Sequence, residues 1–283
     1  MLVVGNGTLI TRDDNRPFIE NGAVAMEGNR IVALGTDEEI RKQYRDGEYI
    51  DAKGGIIMPA FINAHEHIYS AMARGLSIKG YNPKGFLDIL DGQWWTIDRK
   101  LTLEQTRYSA MDTMISCIRS GVTTIFDHHA SFGHIKGSLF TIAEAAKELG
   151  VRACLCYEVS DRDGMDKAKE AVMENAEFIR YALKDDTDMV AGMMGMHAQF
   201  TISDATMELA AANKPEEVGY HIHVAEGIED LHDCLKKYGK RIVDRLMDWN
   251  ILGEKTLLGH CIYINPHEMD LIKDTDTMVV HNP

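Results

Sequence analysis

The sequence predicts an α/β fold: a (β/α)8 TIM barrel that stops before strand 8, preceded by a small, β-sandwich-like N-terminal domain. Two observations carry this prediction. From residue 58 onward, apolar strand-like runs alternate with longer segments of helical periodicity, which is typical of βα units around a parallel sheet. Before that point, short β-rich pieces are separated by Asn-Gly and Gly-Asn turn signals. The predicted domains are residues 1–57 and 58–283.

The N-terminal domain is predicted to be a small antiparallel unit. Its β-rich pieces are LVVGNGTLI, GAVAMEGNRIVALG and YIDAKGGIIM. Short apolar runs bounded by glycine and asparagine are typical of strands joined by tight turns.

Seven strands are predicted in the second domain, with helical stretches between them. The strands span residues 57–67, 122–129, 151–159, 189–198, 218–226, 256–264 and 277–283. The helical stretches span residues 103–120, 138–149, 165–184, 203–213, 228–249 and 266–273. This alternation fits a (β/α)8 barrel cut short by one unit better than an open sheet.

Composition limits the kinds of partner and compartment. With 283 residues, of which 45% are hydrophobic, the chain can bury a large core. Its formal charge of −14 argues against nucleic-acid and anionic-membrane partners and favours a small neutral or cationic ligand. The five cysteines include no CxxC pair, which predicts reduced thiols and a cytoplasmic location. The sequence predicts neither a signal peptide nor an apolar run of ~18 residues.

Histidines cluster at the predicted strand ends. Active sites of parallel barrels lie at the carboxyl ends of the strands, so imidazoles from several strands are expected to meet in one pocket. The members of this cluster are His65, His67, His128, His129, His197, His221, His223, His260 and His281.

The tripeptide His65-Glu66-His67 predicts two metal ligands on one strand. Alternate side chains of a strand share a face, so the two imidazoles point the same way and Glu66 points oppositely. On its own the pattern also fits ordinary polar residues at a strand end. His223 would supply the third nitrogen that zinc or iron requires. His221 shares the face of His223, so alternation alone leaves both open.

A carboxylate and a further imidazole are the candidate catalytic groups. Glu226 would face the pocket only if its strand ends before it, which the following Gly227 supports. There it could take a proton from a metal-bound water. His260 could hydrogen-bond the attacking water or complete the metal shell. The alternatives are a solvated loop glutamate and a core histidine.

Other histidines at the same face have less specific roles. His197 and His281 could polarise or position substrate, and a structural role explains them nearly as well. Asp127-His128-His129 ends the second strand and could orient a ligand from behind.

A long connection, residues 77–102, separates the first predicted strand from the first helix. Long loops at this face of a barrel usually carry function. We expect this segment to close over a flat ring and exclude water, with Trp95 in contact with substrate. Core packing or a subunit interface is the alternative for its tryptophans. Its large apolar residues are Phe86, Leu87, Leu90, Trp94 and Trp95.

These motifs resemble the amidohydrolase superfamily in order and spacing. The segments that carry the likeness are MPAFINAHEHIYSAMARGL, GVTTIFDHHAS, HIHVAEG, LLGHC and VVHNP. The sequence is most similar to the branch that contains chlorohydrolases and the guanine, cytosine and S-adenosylhomocysteine deaminases, and in it to aminohydrolases linked to selenium metabolism.

The resemblance implies a metal-dependent hydrolase that deaminates a small purine-like or pyrimidine-like heterocycle. It implies one divalent metal, with zinc preferred and iron as the alternative. The implied residues are His65, His67 and His223 as metal ligands, Glu226 as the proton shuttle, His260 as the activator of the water, and His197 and His281 as substrate contacts. The family's fourth ligand, an aspartate at the end of strand 8, and the strands that complete the N-terminal sandwich have no counterpart up to Pro283. The resemblance therefore predicts a fragment with an incomplete site.

Missing motifs exclude two other enzyme classes. Zinc deaminases of the H-x-E class require P-C-x-x-C, and phosphate-handling enzymes require GxGxxG or GxxxxGK; neither pattern occurs. A dechlorinating or other C–N hydrolase of the same superfamily stays open, as does a metal-binding protein that is inactive when truncated. The expected partner is a small-molecule substrate, without nucleic acid or membrane, and a homodimer is left open.

Overall fold

The computed structural model describes residues 1–282 and divides the chain into two compact units. The first spans Met1–Phe61 and the second begins at Ile62. The sequence places this boundary earlier, after residue 57. Ile57, which the sequence also places at the start of the first barrel strand, instead pairs together with Ile56 with a strand of the first unit.

The first unit contains one five-stranded sheet and a short helix. Its elements are β1 (Leu2–Ile10), β2 (Phe18–Glu27), β3 (Arg30–Thr36), α1 (Asp37–Gln43), β4 (Glu48–Asp51) and β5 (Ile56–Ile57). Val3, Ala23, Ala25 and Ile40 of α1 pack together on the sheet. Within residues 1–61 no second sheet faces this one.

The expectation of a purely antiparallel N-terminal unit is wrong. β1, β2 and β3 are antiparallel as predicted, but β4 and β5 pair with β1 in parallel. The reason is α1, which carries the chain across the sheet so that the next strand runs in the direction of β1. A capping box formed by Thr36 and Glu39 begins this helix.

Strands in sequence order form the centre of the second unit. They are β6 (Phe61–Glu66), β7 (Val122–His129), β8 (Arg152–Tyr157), β9 (Val190–Gly192), β10 (Met194–Ala198), β11 (Tyr220–Val224), β12 (Leu257–His260) and β13 (Met278–Val280). One sheet has the order β6-β7-β8-β9 and the other β10-β11-β12-β13. Every pair whose register is described in this unit is parallel.

β9 and β10 correspond to a single predicted strand. The chain changes its hydrogen-bonding partner beside Met193, which donates to the carbonyl of Leu155 on β8, whereas Met194 donates to the carbonyl of Gly219 beside β11. A parallel bridge between Val159 and Met196 joins the two halves. The strands therefore follow one another as in a (β/α)8 barrel. Among residues 1–282, β6 pairs only with β7, and β13 only with β12.

Helices follow the strands and pack against the sheet. They are α2 (Phe86–Ile89), α3 (Trp95–Asp98), α4 (Leu103–Arg119), α5 (Ser138–Leu149), α6 (Met165–Ala182), α7 (Asp204–Asn213), α8 (Ile228–Tyr238), α9 (Ile242–Asp248) and α10 (Pro266–Asp274). The helix predicted at 228–249 is divided because Gly239 adopts the left-handed conformation, φ +65°, and ends α8. None of the helices within residues 1–282 combines the length and apolar character needed to cross a bilayer.

The long connection after β6 is helical over much of its length. α2, a π-helical turn at Leu90–Trp94 and α3 follow one another without a break. π-helical turns are rare and occur often at functional sites. This helical segment, residues 86–98, presents its apolar side chains to the site described next.

Candidate functional site

A cavity of about 420 Å³ lies at the carboxyl ends of the strands of the second unit. Its wall combines imidazoles, two carboxylates and the apolar side chains of the helical segment. This is the position at which active sites of parallel barrels lie. The lining residues are His65, His67, Tyr69, Ser70, Phe86, Ile89, Leu90, Trp94, Trp95, Glu158, His197, His223, Glu226, His260 and Asn282.

Three imidazoles converge on one point of this cavity. One ring nitrogen from each of His65, His67 and His223 lies within 4.8 Å of the others. The Nε2 atoms of His67 and His223 are 3.2 Å apart. Nε2 of His65 is buried and has no hydrogen-bond partner in the described chain. These are the three residues that the sequence predicts as metal ligands.

Hydrogen bonds at the opposite ring nitrogens fix the tautomers. Nδ1 of His67 donates to the carbonyl of His128 at 2.8 Å, and Nδ1 of His223 donates to the carbonyl of His197 at 3.0 Å. Because a carbonyl only accepts, the proton of each neutral ring is on Nδ1, and Nε2 presents its lone pair. Both lone pairs are therefore available to a metal ion.

The third ring is supported by a histidine instead of a carbonyl. Nδ1 of His65 lies 2.9 Å from Nε2 of His221. If His221 accepts this hydrogen bond, Nε2 of His65 also presents a lone pair. Strand alternation left His221 and His223 open as ligands; the structure places His223 on the cavity wall and His221 behind His65.

Burial keeps these imidazoles neutral. Burial, followed by repulsion from His67, lowers the pKa of His65 to about 2. Burial, followed by repulsion from His128, lowers the pKa of His67 to about 4 and holds that of His223 well below its usual value. Neutral imidazole is the form that binds metal. Three convergent ring nitrogens, one of them a buried atom without a partner among the described residues, fit a zinc or iron ion.

The end of β7 supports the site from behind, as predicted for Asp127-His128-His129. Oδ1 of Asp127 accepts a hydrogen bond of 2.7 Å from the backbone of Ile68, directly after His67. The carbonyl of His128 holds the ring of His67. His129 instead contacts Oγ of Ser131 at 3.0 Å.

Glu226 faces the cavity because its strand ends before it. β11 ends at Val224, and Ala225 adopts the left-handed conformation with φ +50°. This conformation is uncommon for a residue with a Cβ. A hydrogen bond of 2.9 Å from the backbone of Ala225 to Oδ2 of Asp230 stabilises it. Burial, followed by repulsion from Glu158 and Asp230, raises the pKa of Glu226 to about 7.

His260 lies beside Glu226, whereas His281 lies outside the cavity. Nε2 of His260 is 3.5 Å from Oε2 of Glu226. His260 and Cys261 are both left-handed, with φ of +69° and +54°, a strained arrangement that occurs often at functional sites. His281, predicted to contact substrate, is exposed, and its Nδ1 contacts the carbonyl of His260 at 2.8 Å. β13 ends just before His281, so strand alternation does not direct its side chain inward; the next residue, Asn282, lines the cavity.

His197 and Trp95, the other two residues predicted to contact substrate, line the cavity. Their ring centroids are 6.1 Å apart. Nδ1 of His197 lies 2.7 Å from Oγ1 of Thr201. Nε1 of Trp95 is buried without a partner among the described residues. Leu87, another member of the predicted lid, is exposed and does not line this cavity.

Glu158 is a cavity residue that the sequence analysis missed. It directly follows β8 and is 3% exposed. Burial raises its pKa, but attraction to His197, His128 and Arg162 outweighs burial and lowers the pKa to about 2. A charged residue at the end of a predicted barrel strand was the available signal, since the histidines were selected by the same criterion.

Comparison with known proteins adds independent findings. Residues 56–283 match the amidohydrolase family, and residues 22–46 match an imidazolonepropionase-like composite domain of bacteria. The 5-methylthioadenosine/S-adenosylhomocysteine deaminase of Thermoanaerobacter pseudethanolicus is 25% identical over 283 residues, which cover 100% of this chain and 62% of that protein. The chain thus spans less than two thirds of the length of this relative.

Solved structures share the fold. A triazine hydrolase from Arthrobacter aurescens superposes with a TM-score of 0.85 at 21% identity, over 99% of this chain and 64% of that one. Guanine deaminase of E. coli superposes with a TM-score of 0.84 at 19% identity, over 100% of this chain and 68% of that one. These likenesses confirm the predicted (β/α)8-type fold. Since the family match extends over most of the residues, this chain belongs to the amidohydrolase family.

Proposed function

We propose that this site catalyses the metal-dependent hydrolytic deamination of a small nitrogen heterocycle, purine-like or pyrimidine-like. The observation that carries the proposal is one cavity in which three neutral imidazoles converge beside Glu226 and His260. A Lewis acid and a proton carrier next to one another are what hydrolysis of a ring C–N bond requires. The deaminases similar to this chain support the same reaction class.

The proposed ligands are His65, His67 and His223, and the proposed ion is zinc, with iron as the alternative. Their neutral Nε2 atoms suit either ion. A divalent ion at this point would act as a Lewis acid toward a water molecule. A solved relative of the same fold, an atrazine chlorohydrolase from Arthrobacter aurescens, is described as complexed with zinc, which supports the preference.

The protein's own residues carry the protons. Glu226 accepts one proton from the water that attacks the amino-bearing ring carbon and delivers it to the adjacent ring nitrogen. His260, 3.5 Å from that carboxylate, holds the oxygen of the water during attack. The second proton of the water passes to the amino group, the C–N bond breaks, and ammonia leaves a ring carbonyl behind. His197 and Trp95 position the ring.

Ammonia release from a panel of aminopurines, aminopyrimidines and amino-s-triazines tests this proposal. The full-length protein is assayed for bound zinc and iron on the same preparation. Ammonia from at least one ring, lost on metal removal by a chelator and restored by zinc, is the expected result. Chloride release from a chlorinated ring without ammonia would instead identify a dechlorinating hydrolase. Bound metal with neither product would identify a binding protein.

We further propose that an eighth strand closes the barrel between β6 and β13. The single neighbour of each of these strands among residues 1–282, and the greater length of the relatives, support this arrangement. In the family that strand carries the fourth, aspartate ligand, and further strands complete the N-terminal sandwich. Metal content compared between residues 1–283 and the full-length protein tests the closure.

The homodimer and the cytoplasmic location stay predictions, which sedimentation and cell fractionation would check.

A further inference from the structure

A buried carboxylate on the cavity wall has no strong hydrogen-bond donor within the described chain. Glu158 is 3% exposed and lines the cavity. Its ion-pair neighbour is His128, whose Nδ1 lies 3.6 Å from Oε2, beyond the ~3.2 Å limit of a good hydrogen bond. Nε2 of His128 lies 3.1 Å from the carbonyl of Met196 and must donate to it. No side-chain hydrogen bond of 3.5 Å or less to the Glu158 carboxylate occurs among the described residues, and His128 at 3.6 Å is its nearest ion-pair neighbour.

A buried charge that lacks donors is costly, and the open side of Glu158 faces ligand space. The nearby cation Arg162 stabilises the negative charge from a distance. Its guanidinium is already engaged in a buried ion pair with Asp98 and stacks on the ring of Phe132, 3.7 Å from the centroid. Arg162 does not line the cavity. The cavity side of the Glu158 carboxylate is therefore open to donors from a ligand or from water.

The remainder of the wall is suited to a flat, electron-poor ligand. Glu226 is the second carboxylate of the cavity, and no lysine or arginine lines it among the described residues. Phe86, Trp94 and Trp95 offer aromatic surface. Aromatic faces attract cationic groups, and two carboxylates disfavour anionic ones.

We propose that Glu158 is a recognition subsite for a planar N–C–N pair of N–H donors, as in an amidinium group or an amino-substituted ring with a protonated neighbouring nitrogen. This inference rests on the proposed function, because it names the substrate feature that the same site binds. A carboxylate accepts two parallel hydrogen bonds from such a pair, which gives both affinity and orientation. An amide offers one donor and one carbonyl oxygen, and that oxygen would face the negative charge.

Benzamidine and benzamide test the subsite without any turnover. They share a phenyl ring and differ in the N–C–N pair. Calorimetric titration of the zinc-loaded full-length protein should give at least about tenfold tighter binding of benzamidine. Glu158→Gln keeps the shape but removes the charge, so it should lose that preference while keeping its zinc. Glu226→Gln is the matched control, which removes the other carboxylate of the cavity and should keep most of the preference.

Equal binding of the two compounds by the wild-type protein overturns the proposal. So does an unchanged preference in Glu158→Gln, or a preference lost only in Glu226→Gln. Loss of zinc from Glu158→Gln also overturns it, because Glu158 would then be a metal ligand. If Glu158→Gln does not fold, Glu158→Asp is used instead, because its side chain is shorter by one methylene and moves the carboxylate away from the ligand. An unchanged preference for benzamidine in Glu158→Asp would also overturn the proposal. Failure of the proposed function is distinct: the benzamidine preference would be intact while no ring of the panel released ammonia.

Discussion

Two glutamates face the same cavity, and their pKa values are shifted in opposite directions. Glu158, after β8, is buried among His197, His128 and Arg162, and their attraction lowers its pKa to about 2 despite burial. For Glu226, after β11, burial followed by repulsion from Glu158 and Asp230 raises the pKa to about 7. Residue type and cavity are the same, so the neighbours make the difference.

The difference separates a binding role from a proton-transfer role. A carboxylate that stays ionised at neutral pH attracts donors but takes no proton. A carboxylate with a pKa near the working pH can accept and return one, which is the condition for general acid–base catalysis. We therefore expect Glu158 to affect mainly binding and Glu226 mainly turnover.

The largest expected effect comes from removing one of the three proposed metal ligands. His65→Ala, His67→Ala and His223→Ala should each lower bound zinc and abolish ammonia release, because each removes one of three convergent nitrogens. Zinc is measured by atomic absorption on purified full-length protein. His267→Ala is the control, since His267 is exposed and bonds Asp244 at 3.0 Å. Full zinc occupancy in all three site variants would refute the ligand assignment.

Glu226→Gln should lower kcat by about 10²–10⁴-fold while leaving zinc in place, because an amide cannot shuttle a proton. The assay is ammonia release and zinc content on one preparation. Glu229→Gln, three residues further along the chain and outside the cavity lining, is the control with the same loss of charge. Retained activity would remove Glu226 from the mechanism. Loss of zinc together with activity would make it a ligand or a structural support.

The pH profile separates the two carboxylates in the unmodified protein. The raised pKa of Glu226 means that its base form is lost already near neutrality, so kcat/KM should fall about tenfold per pH unit below about 7 and be flat above it. Glu158, with its lowered pKa, stays ionised throughout that range. Initial rates from pH 5 to 9 measure the profile. A flat profile down to pH 5 would contradict the assignment of Glu226 as the base.

His221→Phe should have a smaller effect, limited to a weaker affinity for zinc. Phenylalanine fills the space of the ring but cannot form the hydrogen bond between the ring nitrogens of His221 and His65, which are 2.9 Å apart. Loss of a partner behind a ligand typically weakens metal binding about 10–100-fold. Competition with a zinc chelator measures the affinity. Wild-type affinity in this variant would show that His65 needs no support from behind.

Strand periodicity explains why much of this site could be predicted. His65, His67 and His223 project from regular strands, so their direction follows from alternation and from the barrel's polarity. β7 was predicted with the bounds that it has, Val122–His129. To choose between His221 and His223, one must know the position of each ring along the barrel axis. Strand alternation gives only the face on which a side chain lies.

The remaining features depend on conformations that periodicity does not encode. Glu226 reaches the cavity through the left-handed Ala225, and alternation could only state that the strand must end. His281 follows the end of its strand and is therefore directed by local backbone. The capping-box residues Thr36 and Glu39 indicate the start of α1 in the sequence, although only strands were predicted there. Gly239, which ends α8, was a second signal of this kind.

The smallest expected effect concerns the helical segment over the cavity. Trp95 lines the cavity, 6.1 Å from His197, and Trp94 packs 6.3 Å from Tyr69 in a small apolar cluster. Because aromatic contacts contribute ~0.5–1.5 kcal/mol beyond burial, Trp95→Ala should raise KM for the ring substrate roughly fivefold, with a lesser change in kcat. Trp95→Phe keeps a ring but removes an N–H that has no partner among the described residues, so a KM between those of the wild type and Trp95→Ala would assign part of the effect to that donor.

Leu87→Ala is the matched control for the lid prediction, because Leu87 belongs to the same helical segment, residues 86–98, but is 43% exposed and outside the cavity lining. Steady-state kinetics of the wild type and of the four variants, Trp94→Ala, Trp95→Ala, Trp95→Phe and Leu87→Ala, test the lid prediction, and thermal melting verifies that each variant folds. If Trp94→Ala and Trp95→Ala both leave KM at the wild-type value, the segment is packing and not a lid. If Leu87→Ala raises KM as much as Trp95→Ala, the effect comes from the stability of the helical segment. If only the tryptophan substitutions raise KM, we infer two separate roles in substrate binding. Glu158 then fixes the orientation of the ring, and the aromatic wall excludes water from it.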